Sequence, residues 1–467
     1  MNSMFAERLV HMDLKGAPPR PAFLRAIFPL FRQWGATGIC LEWEDMLPYS
    51  GRLACVRHPQ AYSPREVKEI LAAATDAGLE VIPLVQTFGH LEFVLKHPRF
   101  SALREDPGSA HDLCPLHPQT AALARELLDQ TLDLHPGVRA VHLGGDEVRA
   151  LGRHPATARA IAARGRAAVY RRHLDPLLAR AAARGVRALI WDDMLRGWSV
   201  SELRPLRGRV ELVIWGYAPE LLPRLSPGLW RRYQAAGLSL WGASAFKGAC
   251  AEDTLWVDGG NRARNHAAWA ACGRQRKLTG IILTGWSRFT HFSTLCELLP
   301  AGLPHLALGL AILRRGRFTD DLRRRIFVGL GLGDMPFAHA RTEEIISLPT
   351  GNFPGAAVFR LAGKLQGARQ LMRQVEEHQC FQYPPRNGGR VDAALVRCDA
   401  RRAARAGRIA RAAAAELPAA LSPVLPPFAA REFLDVQARQ LIAVTRHAQT
   451  LARRLTRSKA TRRKERT

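Results

Sequence analysis

At 467 residues and 47% apolar content the chain is too long for one small domain and can bury a sizeable core, which excludes a disordered or fibrous protein. Its formal net charge of +27 is carried mostly by arginines scattered along helical stretches, without the interleaved aromatic residues that base stacking requires. The charge therefore reads as solvated helix faces, and nucleic acid is not an expected partner.

Short apolar runs alternate with helical patterns from the N-terminus to about residue 315. The runs are Leu9–Asp13, Gly38–Glu44, Leu79–Gln86, Val138–Asp146, Val186–Asp193, Val210–Tyr217, Leu238–Ala245 and Thr279–Trp286. Most are apolar on both faces, as parallel strands covered on each side are. Between them lie the predicted helices Pro21–Trp34, Pro64–Ala77, Gln119–Leu134, Ala156–Ala183 and Asn265–Cys272. Ser63 caps the second of these ahead of Pro64, and Gly78 ends it. Eight strands with interleaved helices predict an α/β fold, a (β/α)8 TIM barrel over 1–315, with an open doubly wound sheet as the alternative. The stretch Thr87 to Pro118 is long for a connection and predicts a substrate wall or lid. Residues 316–452 lack strand signals and carry helical periodicity in Leu361–Val375 and Phe433–Leu455, predicting an α-helical C-terminal domain. The dense charge of 453–467 predicts a basic, disordered tail.

The N-terminus lacks the apolar core of a secretory signal, and no run of about 18 apolar residues occurs, so a membrane span is not expected and a cytoplasmic location is. Eight isolated cysteines, without a C-x-x-C pair, indicate neither a disulfide framework nor a structural zinc. A homo-oligomer is compatible with this composition.

Nearly every run ends in a polar or aromatic residue, which in a barrel places functional groups at the C-terminal rim. The richest segment is Val141-His142-Leu143-Gly144-Gly145-Asp146-Glu147. Two glycines at a strand end let the backbone bend and a ligand approach closely. Successive strand side chains point to opposite faces, so Asp146 and Glu147 can share one pocket only where the strand unwinds. An isolated acidic pair would otherwise cap a helix or stay solvated.

The H-x-G-G-D-E segment resembles the active-site motif of the family 20 glycoside hydrolases. The resemblance continues through Leu9 to Pro19, Pro83 to His90, Trp191-Asp192-Asp193-Met194, Ala245-Phe246-Lys247-Gly248 and Leu283-Thr284-Gly285-Trp286, and is strongest to the hexosaminidase D-like branch. It implies a retaining exo-β-N-acetylhexosaminidase in which the substrate's own acetamide oxygen attacks the anomeric carbon, giving an oxazolinium intermediate. Glu147 would be the general acid and then the base, kept protonated by a raised pKa. Asp146 would stay ionised and orient the acetamide. Tyr217 corresponds to a tyrosine that donates to the acetamide oxygen, and Trp191 and Trp286 to walls of the sugar pocket. Trp215 and Trp241 fit either pocket or core. His90 and His142 either orient the acids or are satisfied core residues. Asp192 would hold sugar hydroxyls or support Asp146, with Asp193 capping a helix.

Two departures bear on sugar preference. Where many relatives have an arginine after the first strand this chain offers Asp13 and Lys15, and where many have Trp-x-Glu it has Trp286-Ser287-Arg288. Preference between β-GalNAc and β-GlcNAc is left open. None of these acids and histidines falls at metal-ligand spacing, so no metal or other cofactor is expected. The expected partner is a glycan or glycoconjugate ending in a β-linked N-acetylhexosamine. The competing readings are a barrel of the hyaluronidase or O-GlcNAcase type, a non-catalytic glycan-binding barrel, and a nucleic-acid-associated basic protein.

Overall fold

A computed structural model describes residues 5–221, 225–252, 254–335, 342–381 and 392–464. Eight parallel strands close into a barrel in sequence order: β1 Glu7–Asp13, β2 Gly38–Glu42, β3 Glu80–Leu84, β4 Ala140–His142, β5 Arg187–Trp191, β6 Glu211–Trp215, β7 Ser239–Lys247 and β8 Gly280–Gly285. The circle closes where Leu9 pairs with Ile282. Six of the predicted runs contain their strands; β1 begins two residues before Leu9, at Glu7, and β7 continues two residues past Ala245, to Lys247. The double-sided burial anticipated from composition has two destinations. One set of side chains, including Leu9, Cys40, Ile82, Leu189, Val213, Trp241 and Ile282, fills the barrel interior. The alternate residues, such as Val10, Ile39, Leu212 and Ile281, pack outward against the helices. The pairing of β1 with β8, which leaves no sheet edge, excludes the open sheet.

The helix Pro21–Trp34 has the predicted bounds. At Pro64–Asp76 the Ser63 hydroxyl accepts from the Glu66 N–H at 3.2 Å while Glu66 accepts from the Ser63 N–H at 2.8 Å, a reciprocal cap. The single helix predicted over Ala156–Ala183 is two, Pro155–Arg164 and Arg166–Ala183. Gly165, at φ 81°, supplies the left-handed break. The segment Thr87 to Pro118 forms a packed wall, with Phe88, Leu91, Phe93, Val94 and Leu95 buried beneath it.

Beyond the barrel the described chain is helical, chiefly Ala356–Phe381, Ala393–Leu421, Pro427–Phe433 and Gln440–Lys464. Ala403, Ala406, Ala410 and Ala413 are buried at helical spacing, so small side chains let Ala393–Leu421 approach its neighbours closely. The last helix runs into the stretch predicted as a disordered tail and reaches Lys464, since no glycine or proline interrupts its alanines, arginines and lysines; 465–467 lie outside the described residues. A π-helical turn, Leu434–Arg439, faces the barrel, and the Gln437 amide donates to the Leu295 carbonyl at 2.7 Å. Among the described residues no helix is long and apolar enough to cross a membrane.

Candidate active site

β4 ends at His142, four residues sooner than Asp146, because the chain turns out of the ladder at Gly144 and Gly145 (φ 64° and 85°). A Cβ at Gly144 would collide with the Gln86 amide, and one at Gly145 would lie 2.5 Å from the Tyr170 hydroxyl. The bend frees both carboxylates from strand alternation. Glu147 itself sits at φ 49° and His90 at φ 53°, non-glycine residues in the left-handed region that neighbouring contacts must hold there.

Asp146 and Glu147 consequently line the same cavity, about 240 Å³, at the C-terminal mouth of the barrel. That is below the roughly 300–1,000 Å³ of drug-sized sites and suits one sugar ring. Trp191, Trp215, Tyr217 and Trp286 form its aromatic walls, and Lys15, Gln86, His90, Arg149 and Arg288 give it polar lining. Trp215 and Tyr217 stack at 5.4 Å, and the Trp191 and Trp286 rings lie 6.1 Å apart. Four buried polar atoms of this lining lack a protein partner: Asp146 Oδ1, Gln86 Oε1, Trp191 Nε1 and Arg288 Nε. Such atoms cost on the order of 1–3 kcal/mol each unless a ligand satisfies them. An acceptor-rich and donor-bearing ring is what they lack.

His90 joins the two acids. Its Nε2 is 3.4 Å from both Asp146 Oδ2 and Glu147 Oε2. Burial opposes a charge on His90, but the Asp146 carboxylate and bonds to both acids outweigh it and raise its pKa well above the usual value. Glu147 is pulled the other way, to about 2, by the His90 bond first and then, against burial, by the Arg149 guanidinium at 2.6 Å. This departs from the expectation of a protonated Glu147: its contacts with His90 and Arg149 favour the carboxylate, and the two acids favour a charged His90. Burial keeps the Tyr217 hydroxyl protonated as a donor.

Comparisons with known proteins bear on the family and the fold. Residues 32–221 match the catalytic-domain model of glycosyl hydrolase family 20. The chain is 42% identical over 372 residues to Hexosaminidase D of Homo sapiens, covering 76% of this chain and 74% of that protein. It is 44% identical over 338 residues to Hexosaminidase D of Bos taurus, covering 70% and 98%. The chain belongs to glycosyl hydrolase family 20. Among solved structures, this family 20 chain superimposes on the β-N-acetylhexosaminidase of Streptomyces coelicolor A3(2) with a TM-score of 0.50 at 15% identity, over 70% of this chain and 69% of that one. The Streptomyces plicatus N-acetyl-β-hexosaminidase gives 0.50 at 16%, over 71% and 70%. At such identities the likeness is one of fold. The chain is an enzyme, a glycoside hydrolase.

Four of the anticipated site residues of this family 20 barrel lie elsewhere. Asp13 does not line the cavity: it is buried, 2.9 Å from Lys15 Nζ, and accepts from the Ser287 N–H at 2.8 Å, so Lys15 alone reaches the pocket. His142 is fully buried, its Nδ1 accepts from the Gly144 N–H at 3.1 Å, and its ring packs on Trp191 at 4.4 Å. Burial lowers its pKa to about 3, so it props the bend as a neutral group. Trp241 pairs with Gly280 near the opposite, N-terminal end of the barrel, where its indole donates to Glu211. Asp192 is locked by Arg196 at 2.8 and 2.9 Å and by the Tyr233 hydroxyl at 3.1 Å.

Asp193, predicted to cap a helix, instead faces the acids. Its Oδ2 accepts from the Glu147 N–H at 2.9 Å and its Oδ1 from the Trp215 indole at 3.2 Å. Burial, then the charge of Asp146, raises it to about 7. The swap arises because β5 ends at Trp191, so Asp192 still points into the helix layer while the following turn aims Asp193 at the rim. Arg149 and Phe289 also line the cavity unanticipated; in so arginine-rich a chain nothing distinguishes Arg149 by sequence. Arg288 does line it, and is held by both carboxylate oxygens of Glu432, at 2.8 and 2.9 Å, from the helical region. Among the described residues one group, His90, Glu92 and His111, brings three potential metal-ligand atoms within 4.8 Å of one another, which the spacing in sequence had not suggested.

Proposed function

We propose that this enzyme is a retaining exo-β-N-acetylhexosaminidase acting on terminal β-GalNAc and β-GlcNAc by substrate-assisted catalysis. The observation that carries the reading is the convergence of Asp146 and Glu147 on one aromatic-walled cavity sized for a single ring. The sugar's acetamide oxygen attacks C1 while the glycosidic oxygen takes a proton from Glu147, and the C1–O bond to the aglycone breaks. Asp146, kept as a carboxylate, accepts from the acetamide N–H as positive charge develops on the oxazolinium ring. Tyr217 donates to the acetamide oxygen. Glu147 then removes a proton from the incoming water, which opens the ring with net retention.

Glu147 must hold a proton when the aglycone leaves. Filling the cavity excludes water, and the Arg149 side chain, 68% exposed, is free to swing away. Both changes raise the Glu147 pKa, and the His90 imidazolium at 3.4 Å hands its proton across. Contacts to the outer sugar hydroxyls fall to Lys15 and Arg288, which line the cavity while held by Asp13 and Glu432.

The test is release of p-nitrophenol from the two aryl β-N-acetylhexosaminides, with N-trifluoroacetyl analogues alongside. Glu147→Gln is expected to lose about 10²–10⁴-fold in kcat, and fluorination is expected to depress the rate steeply as the amide oxygen weakens. An unchanged rate in Glu147→Gln, or indifference to fluorination, refutes the mechanism.

A further inference from the structure

The long wall after β3 returns on itself so that its two ends are clasped: the Leu91 N–H donates to the His111 carbonyl and the Leu113 N–H to the Phe88 carbonyl, each at 3.0 Å. The clasp sets His90 and Glu92 opposite His111. One ligand atom from each lies within 4.8 Å of the others. We propose that His90, Glu92 and His111 form a zinc site, and that zinc bound there inhibits hydrolysis by tying down the histidine that serves Glu147.

Three observations make this more than proximity. First, His111 is presented as a metal ligand. Its Nδ1 is 2.7 Å from Asp112 Oδ1, and Asp112 is itself anchored by the Ala150 N–H on Oδ2 at 2.6 Å. A carboxylate accepting from Nδ1–H leaves the lone pair on Nε2, the carboxylate–histidine arrangement that supports metal ligands. Second, that Nε2 is buried without a hydrogen-bond partner and looks toward Glu92 Oε1 at 4.0 Å. Third, the Glu92 side chain is 5% exposed, so it is aimed inward rather than solvated. Tetrahedral bonds of about 2.0–2.1 Å need ligand atoms roughly 3.4 Å apart, an inward movement on the order of 1 Å that side-chain rotation supplies.

The donor set selects the ion. Two imidazoles and one carboxylate with an open fourth position suit Zn²⁺. Mg²⁺ and Ca²⁺ need several oxygens and find one carboxylate here, so they are expected not to bind. The ring of His90 packs at a tilt against that of His111, centroids 4.6 Å apart, while its Nε2 faces Asp146 and Glu147. A metal on this ring fixes its orientation and adds a cation beside the acids. The binding part stands on the wall alone; the inhibitory part rests on the proposed function.

The experiment titrates ZnCl2 against the full chain in competition with a chromophoric chelator, with cysteines blocked because Cys55, Cys250 and Cys380 are exposed. The same titration is run on His111→Gln, Glu92→Gln and Asp112→Asn. One zinc per chain is expected in the wild type. A loss of tenfold or more is expected in the first two variants, and roughly 10–100-fold in Asp112→Asn, which alters the supporting carboxylate only. No binding, or equal binding by all four proteins, overturns the site. In parallel, with unblocked protein, the hydrolysis rate in zinc is divided by the rate in EDTA for each protein. A ratio well below one in the wild type, returning toward one in His111→Gln, supports inhibition. Zinc bound in the wild type with a ratio of one, or a ratio as low in His111→Gln, overturns it. If no protein hydrolyses the aryl glycosides, the hydrolase reading fails while the chelator titration still decides the metal site.

Discussion

Asp193→Asn separates a helix-capping acid from one that positions the catalytic pair. Asp193 accepts two hydrogen bonds, one per oxygen, from Glu147 N–H and Trp215 Nε1–H. Asparagine has a single acceptor oxygen, so one of these donors meets an NH2 group. An unmet buried donor costs about 1–3 kcal/mol, and if that is felt in the transition state kcat falls about 5- to 150-fold. Glu147 sits at φ 49° and depends on that anchor, so the effect belongs in kcat rather than KM. A second signature is independent of catalysis. Because the folded pKa, about 7, exceeds the ordinary 3.8, the folded state holds a proton that the unfolded chain has lost. The stability tied to Asp193 is therefore fully present below about pH 4 and is lost as pH rises through about 7, with an order-of-magnitude ceiling of about 4 kcal/mol. Asparagine cannot titrate. Tm measured from pH 4 to 8 should show the wild type falling relative to the variant as pH rises toward 7, because only the wild type must ionise a buried acid there. Parallel curves, with kcat on the aryl glycoside within twofold, refute the positioning role.

Glu432→Gln replaces one arm of the bidentate hold on Arg288. Glu432 is about a third exposed, which discounts the pair to about 0.5–1.5 kcal/mol; KM is expected to rise about 2- to 10-fold with kcat within twofold, and an unchanged KM breaks the link between helical region and pocket. Acid should unfold the enzyme early. Burial lowers His135 and His173 to about 4 and His142 and His266 to about 3, so the unfolded chain takes up protons near pH 6.5 while the folded one does not. Stability is thus present above about 6.5 and lost as pH falls toward 3–4. Tm should drop steeply between pH 6.5 and 5, and less so in His142→Gln; a flat Tm over that range contradicts neutral burial.

The barrel was legible because its signals are local. Eight runs, most apolar on both faces and nearly all closed by a polar or aromatic residue, need no knowledge of distant contacts to be read, and each overlaps its strand. The Gly144-Gly145 pair announced the bend that lets Asp146 and Glu147 share a cavity. What misled was orientation at strand ends. Asp192 and Asp193 are adjacent acids of the same type, and only the point at which β5 stops decides which one faces the rim. Trp241 looks like Trp191 in sequence, yet it sits near the start of its strand and at the far end of the barrel.

The linear chain by itself determined the alternation of strand and helix, the helical character of the C-terminal region and the acidic pair, because propensity and periodicity act over a few residues. Tertiary structure alone decided where protons and charges reside. His90 lies fifty-six residues before Asp146 in the chain, Glu432 lies far beyond Arg288, and His111 reaches Glu92 only through the clasped wall. A pKa or a ligand set depends on distances of a few ångströms, and such distances are fixed by closure of the barrel rather than by order along the chain.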